Sequence, residues 1–201
     1  MLHKKIRLLA LAGGMMAGAM LTGAPAQAEP TAEMLANTCA GCHGTLGQSA
    51  GPASPAIAGF PKNFLKTVLT EFKSGERPAT IMDRIAKGYS DTEIDLIAEF
   101  LSKQKWGVAK TASVTGTPIN DELAKQGEEK VKDCVKCHED DGKKQDEDTP
   151  RLGGQWLDYL LIRVSDYKTL ENYPQPKKMK KQIERLSVQE LEAVAHYFAN
   201  Q

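Results

Sequence analysis

Beyond its first 28 residues the chain has no apolar run long enough to span a bilayer, no run that alternates as a strand does, and no glycine fingerprint of a nucleotide-binding turn. Cysteine is confined to Cys39, Cys42, Cys134 and Cys137, and past residue 28 methionine occurs only as Met34, Met82 and Met179. An excess of one charge is missing too, since 26 basic side chains face 26 acidic ones. These absences argue against a membrane span in the mature chain, a nucleotide cofactor of its own, a spare thiol for sulfur chemistry, and nucleic acid or an anionic membrane as partner.

The N-terminus is of a different kind. Lys4, Lys5 and Arg7 form a positive head, residues 8–21 an apolar run, and Ala26-Gln27-Ala28 a small-residue cleavage site. Residues 1–28 therefore read as a secretory signal peptide cut after Ala28. A retained anchor is the alternative, but Gly13, Gly14, Gly18 and Gly23 interrupt a run already short for a span. Cleavage leaves 173 residues (201 − 28) with 23 basic side chains (26 − 3) against 26 acidic ones. That length suits one domain or two small ones, and domains of fewer than about a hundred residues bury little apolar surface and usually need a covalent or metal staple.

What is present is a five-residue stretch that occurs twice, Cys39-Ala40-Gly41-Cys42-His43 and Cys134-Val135-Lys136-Cys137-His138. In an exported protein, two thiols spaced two residues apart with histidine next are what covalent haem attachment requires. Both thiols add to the vinyl groups of one porphyrin, and the adjacent imidazole becomes the iron's proximal ligand. Cys39, Cys42, Cys134 and Cys137 are thus expected to carry two haem c groups, with His43 and His138 on the irons. A zinc site would gather its ligands, whereas these pairs lie in separate repeats. A disulfide inside each pair would leave both histidines unexplained.

The repeat extends past the motifs. Cys39 and Cys134 are 95 positions apart (134 − 39), as are Pro55 and Pro150, and the same offset pairs Phe64-Leu65 with Tyr159-Leu160 and Phe72 with Tyr167. Further on the offset is 97, pairing Met82 with Met179 (179 − 82) and Ser90 to Glu93 with Ser187 to Glu190. Two copies of a long unit are a duplicated domain, not a solenoid. Phe64, Leu65, Val68, Leu69 and Phe72 recur at helical spacing with Gly75 as a stop; Trp156, Tyr159, Leu160, Val164 and Tyr167 form the partner helix. Ser90 with Glu93 and Ser187 with Glu190 form capping boxes ahead of the stripes Ile94, Ile97, Ala98, Leu101 and Leu191, Val194, Ala195, Phe198. Helices are also expected over residues 31–37 and 120–133. The division is residues 29–106, a linker at 107–118 rich in Ala, Thr, Ser and Gly, and residues 119–201.

Met82 and Met179 occupy matching places, 39 residues after His43 (82 − 43) and 41 after His138 (179 − 138). A thioether opposite an imidazole gives His/Met ligation, which raises the reduction potential. Met34 has no counterpart and reads as a packing residue. His3 falls in the signal peptide, and His196, whose equivalent is Glu99, reads as an exposed helix residue and not a ligand.

The chain resembles the dihaem cytochrome subunit of flavocytochrome c sulfide dehydrogenase. The stretches that carry the likeness are Cys39 to Gly44, Gly51-Pro52-Ala53-Ser54-Pro55, Phe72-Lys73-Ser74-Gly75 and Ile81 to Ser90, and more weakly Gly154-Gln155-Trp156 and Lys177-Lys178-Met179. Dihaem cytochrome c4 is also similar, sharing the duplicated plan. The resemblance implies an all-α fold of two tandem class I cytochrome c-like domains in the periplasm. It implies an FAD-binding flavoprotein partner that would form a heterodimer with this chain, with FAD on that partner and not on this chain. Electrons would leave to an external acceptor such as a small cytochrome or other redox protein. In class I cytochromes c a proline carbonyl, here that of Pro55 or Pro150, accepts the proximal imidazole's other N–H; a plain turn proline is the equal alternative. A free c4-type shuttle is the second functional reading. A dihaem enzyme such as a peroxidase is the third, and it would need an open iron position that two methionines close. Lys177, Lys178, Lys180 and Lys181 around Met179 either guide an acidic partner or form a solvated loop.

Overall fold

The computed structural model describes residues 29–109 and 116–201. The signal peptide expected at residues 1–28 and the centre of the expected linker lie outside the described residues. The first half contains α1 (Ala32–Asn37), α2 (Ala40–His43), α3 (Lys62–Ser74), α4 (Met82–Ala86) and α5 (Asp91–Ser102). The second contains α6 (Asp121–Lys130), α7 (Leu157–Thr169), α8 (Lys177–Arg185) and α9 (Val188–Ala199). Among the described residues no strand forms; one isolated bridge joins Asp146 and Thr149.

The helix ends follow local chemistry. Thr31 and Asn120 cap α1 and α6 with side-chain oxygens that accept from Met34 N–H and from Glu122 and Leu123 N–H. Both capping boxes close: Ser90 and Ser187 accept from Glu93 and Glu190 N–H, while each glutamate accepts from its serine's N–H. Gly75 ends α3 at φ 85°, a left-handed conformation that a side chain would strain. Three helices escaped the sequence reading, the four-residue α2 within the first haem motif among them. The five-residue α4 is shorter than a periodicity test can detect, and α8 carries a lysine run that reads as a solvated loop until Ile183 is seen buried beneath it.

Each half has its own core, and the two cores correspond. Ala36, Leu65, Ile97, Ala98 and Leu101 are buried in one; Val131, Leu160, Val194, Ala195 and Phe198, at offsets of 95 or 97, are buried in the other. In both halves the first and last helices pack, α1 on α5 and α6 on α9. The duplication reaches the backbone. Gly47 C=O accepts from Ile57 and Ala58 N–H at 2.8 and 3.1 Å, and Gly142 C=O from Leu152 and Gly153 N–H, both at 2.9 Å.

Two expectations need correction. His196 is buried, 4% exposed, because Nδ1 accepts from Asn120 N–H at 3.0 Å and so ties α9 to the cap of α6. Met34 does not fill a core gap; it is 63% exposed on α1, whose buried face is made by Leu35 and Ala36.

Contacts across the boundary join the halves. Trp156 Nε1 donates to Ser49 C=O at 3.1 Å, and the Arg151 guanidinium lies 5.1 Å from the centre of the Trp106 ring. Arg77 is 7% exposed: Nε donates to Glu71 Oε2 at 2.7 Å, and Nη1 and Nη2 donate to Tyr173 OH and Pro174 C=O, each at 3.2 Å. A buried guanidinium with its ion pair and hydrogen bonds in place resists separation of the halves.

Candidate haem sites

In each half the Cys-x-x-Cys-His stretch coils tightly, with His43 N–H donating to Cys39 C=O and His138 N–H to Cys134 C=O, both at 2.9 Å. This turn places the first thiol and the histidine half-buried while the second thiol stays exposed, as Cys42 and Cys137 are. No disulfide joins any two of the four cysteines. The imidazoles are oriented from behind: His43 Nδ1 bonds Pro55 C=O at 2.8 Å, and His138 Nδ1 bonds Pro150 C=O at 3.3 Å. Each contact spans twelve residues and leaves Nε2 for a metal, which is how an outer partner fixes the tautomer of a ligating histidine. Burial holds both imidazoles below the ordinary histidine range, the proline carbonyl acting in the opposite sense, so the neutral form a metal needs is favoured. Burial likewise pushes the thiols of Cys39 and Cys134 up.

A cavity of about 1020 Å³ is lined by Cys134, Cys137, His138, Pro150 and Met179 of the second half and by Phe60, Phe64, Val68 and Arg77 of the first. That is at the upper end of small-molecule sites, roughly 300–1,000 Å³. Its other walls include Leu160 and Val164 of α7 and Leu191 and Val194 of α9, an apolar lining suited to a porphyrin face. Two buried polar atoms of lining residues have no partner, Arg163 Nε and Gln175 Oε1. The donor set and the apolar walls fit a haem. In the first half Met82 opens α4, half-buried, and α4 packs on α3, the helix equivalent to α7.

The cytochrome c family profile matches residues 28–105 and, a second time, residues 124–201. The chain belongs to the cytochrome c family. It is 47% identical over 72 residues, 36% of this chain, to the cytochrome subunit of sulfide dehydrogenase from Chlorobaculum tepidum, and that match spans 64% of the relative's length. A thiosulfate dehydrogenase electron acceptor from Stutzerimonas stutzeri is 30% identical over 171 residues, which covers 82% of this chain and 79% of that one. Among solved structures, reduced recombinant cytochrome c4 from Pseudomonas stutzeri superposes with a TM-score of 0.70 at 26% identity, over 86% of this chain and 99% of that one. This cytochrome c is therefore all-α, built of two tandem cytochrome c domains, with two covalently bound haem c groups and an electron-transfer role. Among its described residues no helix is long and apolar enough to cross a membrane.

Which functional residues did the sequence reading miss? Arg77 and Arg163 line the cavity and both donate to the Tyr173 hydroxyl; their only signal would have been charged or phenolic residues near apolar positions, which is too common to single out. Lys178 and Lys181 also line the cavity, from α8.

Proposed function

We propose that this dihaem cytochrome works in the periplasm as the electron-carrying subunit of a flavocytochrome c sulfide dehydrogenase. It would take electrons from an FAD-bearing flavoprotein and release them to an external redox protein. Each haem, when bound, supplies an iron that takes up and gives off one electron. Cys39 and Cys42 hold one haem and Cys134 and Cys137 the other; His43 with Met82 and His138 with Met179 close the irons from both sides. The carbonyls of Pro55 and Pro150 orient the two imidazoles, and the domains run over residues 29–106 and 119–201. Catalysis on sulfide then belongs to the partner chain, because this one has no thiol left over and two ligated irons offer no open position.

The observation that carries the reading is the gathering of Cys134, Cys137, His138 and Met179 around one apolar cavity in a half repeated at matching offsets. The sulfide donor is supported by the likeness of one stretch to the Chlorobaculum tepidum subunit. A freely diffusing shuttle is the second reading, favoured by matches to an electron acceptor and a cytochrome c4 over most of the chain. Purification from the native source separates the two. A tight complex with a yellow, FAD-containing chain supports the first, and a protein of this mass alone supports the second. Intact mass must show two haems in either case; unmodified cysteines would sink both.

A further inference from the structure

Helix α8 carries a charge cluster that the chain does not neutralise. Within it Lys177, Lys178, Lys180, Lys181 and Arg185 accompany a single acid, Glu184, and all six side chains are exposed. Among the described residues no carboxylate lies within ion-pair distance of any of the five cations. The acids on the wall of the neighbouring cavity are Glu71, Asp133 and Asp148, and the first two pair with Arg77 and Lys136 instead. Lysines at 177 and 180, 177 and 181, and 178 and 181 repel one another at helical spacing. They also crowd the first turn, which has no acidic side chain, and so oppose the helix dipole. The fold does not demand this arrangement. In the first half the equivalent positions, 97 residues earlier, are Thr80, Ile81, Asp83 and Arg84, of which Arg84 alone is cationic. The inner side of α8 closes the cavity with Met179 and Ile183, one turn apart, while Lys178 and Lys181 reach its edge and Lys177 and Lys180 do not touch it.

We propose that the lysine face of α8 is the docking surface for an acidic redox protein, which exchanges electrons with the second haem across that helix. The inference rests on the assignment of Cys134, Cys137, His138 and Met179 to that haem. Repulsion held within α8 is relieved when a partner's carboxylates arrive, and opposite charges both speed the encounter and fix its orientation. One electron then leaves the ferrous iron, which becomes ferric, and reduces the partner's oxidised cofactor by one electron. The mature chain as a whole carries 23 basic against 26 acidic side chains. A local cationic face on a slightly acidic protein suits a partner of matching footprint better than an extended anionic sheet such as a membrane. The first half, without such a face, is left for a partner of different chemistry.

The test is stopped-flow oxidation of the reduced holoprotein by oxidised plastocyanin, an acidic blue-copper protein, over a series of salt concentrations. Lys177→Glu/Lys180→Glu alters the outer lysines that do not touch the cavity; Arg84→Glu/Lys87→Glu makes the same change of net charge at exposed positions of the first half. Each protein is checked for two haems by intact mass. The wild-type rate constant should fall as salt rises. At about 0.1 M ionic strength, where charges more than about 10 Å apart are screened, the α8 variant should be slower on the order of tenfold and nearly insensitive to salt. The first-half variant should keep the wild-type salt slope and slow by no more than about twofold. A wild-type rate flat in salt, an α8 variant as fast as the wild type, or equal slowing of both variants overturns the proposal while leaving the haem assignment intact. Should Lys177→Glu/Lys180→Glu fail to retain both haems, Lys177→Gln/Lys180→Gln decides by the same comparison. Sedimentation with vesicles of phosphatidylglycerol and phosphatidylcholine tests the other anionic partner: binding that the α8 variant loses, with plastocyanin rates unmoved, would make the face a membrane contact and overturn the proposal. A wild-type mass with fewer than two haems would instead defeat the assignment on which the proposal rests.

Discussion

Gln155 clasps the backbone of Ala56 from the other half: Ala56 N–H donates to Oε1 at 3.0 Å, and Nε2 donates to Ala56 C=O at 2.9 Å. Gln155 is 2% exposed and Ala56 not at all. The duplicated place in the first half is Phe60 (155 − 95), which packs into that half's own core. One position has therefore been turned from core packing to joining the halves. Trp156, next in sequence, follows it across the boundary to Ser49.

Gln155→Ala leaves both polar groups of Ala56 buried and unpaired, at about 1–3 kcal/mol each. The holoprotein should lose roughly 2–6 kcal/mol in denaturant unfolding, and its unfolding should split into two transitions as the halves uncouple. An unchanged midpoint with one transition would show that the clasp contributes nothing to the joining.

Removing either methionine should open one iron and leave the other closed. Met179→Ala is expected to make one of the two haems bind carbon monoxide in the reduced protein at neutral pH, and Met82→Ala the other, with the double variant binding two equivalents. Optical difference spectra read the stoichiometry. If Met179→Ala binds no more carbon monoxide than the wild type, Met179 is no ligand, and the same comparison decides Met82.

Gly127 lets α6 and α9 cross closely. A Cβ there would lie 2.1 Å from Ala193 C=O oxygen and 2.8 Å from Tyr197 Cβ, so backbone must shift to admit it. Gly127→Ala should cost about 1–3 kcal/mol or more, seen as a lower Tm of the holoprotein. By contrast, an alanine at Gly75 meets no atom within 4 Å but inherits φ 85°, and should cost only about 1–2 kcal/mol.

Lys130 and the Ser187 N–H hold the Glu190 carboxylate down at about 2, against an ordinary 4.5. A depressed folded-state pKa contributes stability above the unfolded value and loses it as pH falls toward the folded one. The window is therefore pH 4.5 down to about 2. Across it the wild type should lose stability that Glu190→Gln has already lost, so the two acid-unfolding profiles should converge as pH falls. Parallel profiles would remove Glu190 from the acid response.

The haem motifs, the duplication, both capping boxes, the Gly75 stop and the stripes of α5 and α9 could be read from the chain because each is a local pattern. A fixed spacing of a few residues decides which groups meet on one turn or one helix face. Even the histidine and proline of each site are only twelve positions apart. The helical state of α4 and α8, the burial of His196, the exposure of Met34, the cross-boundary clasp of Gln155 and the meeting of Arg163 with Tyr173 around a haem-sized cavity could not. α4 has only five residues and α8 only two apolar side chains, Met179 and Ile183, so neighbouring elements decide their state. The bonds of His196 to Asn120 and Gln155 to Ala56 span 76 and 99 residues. Residue type thus determined which atoms could bind a haem, and only the packing of two separately cored halves decided which charges stand beside each one.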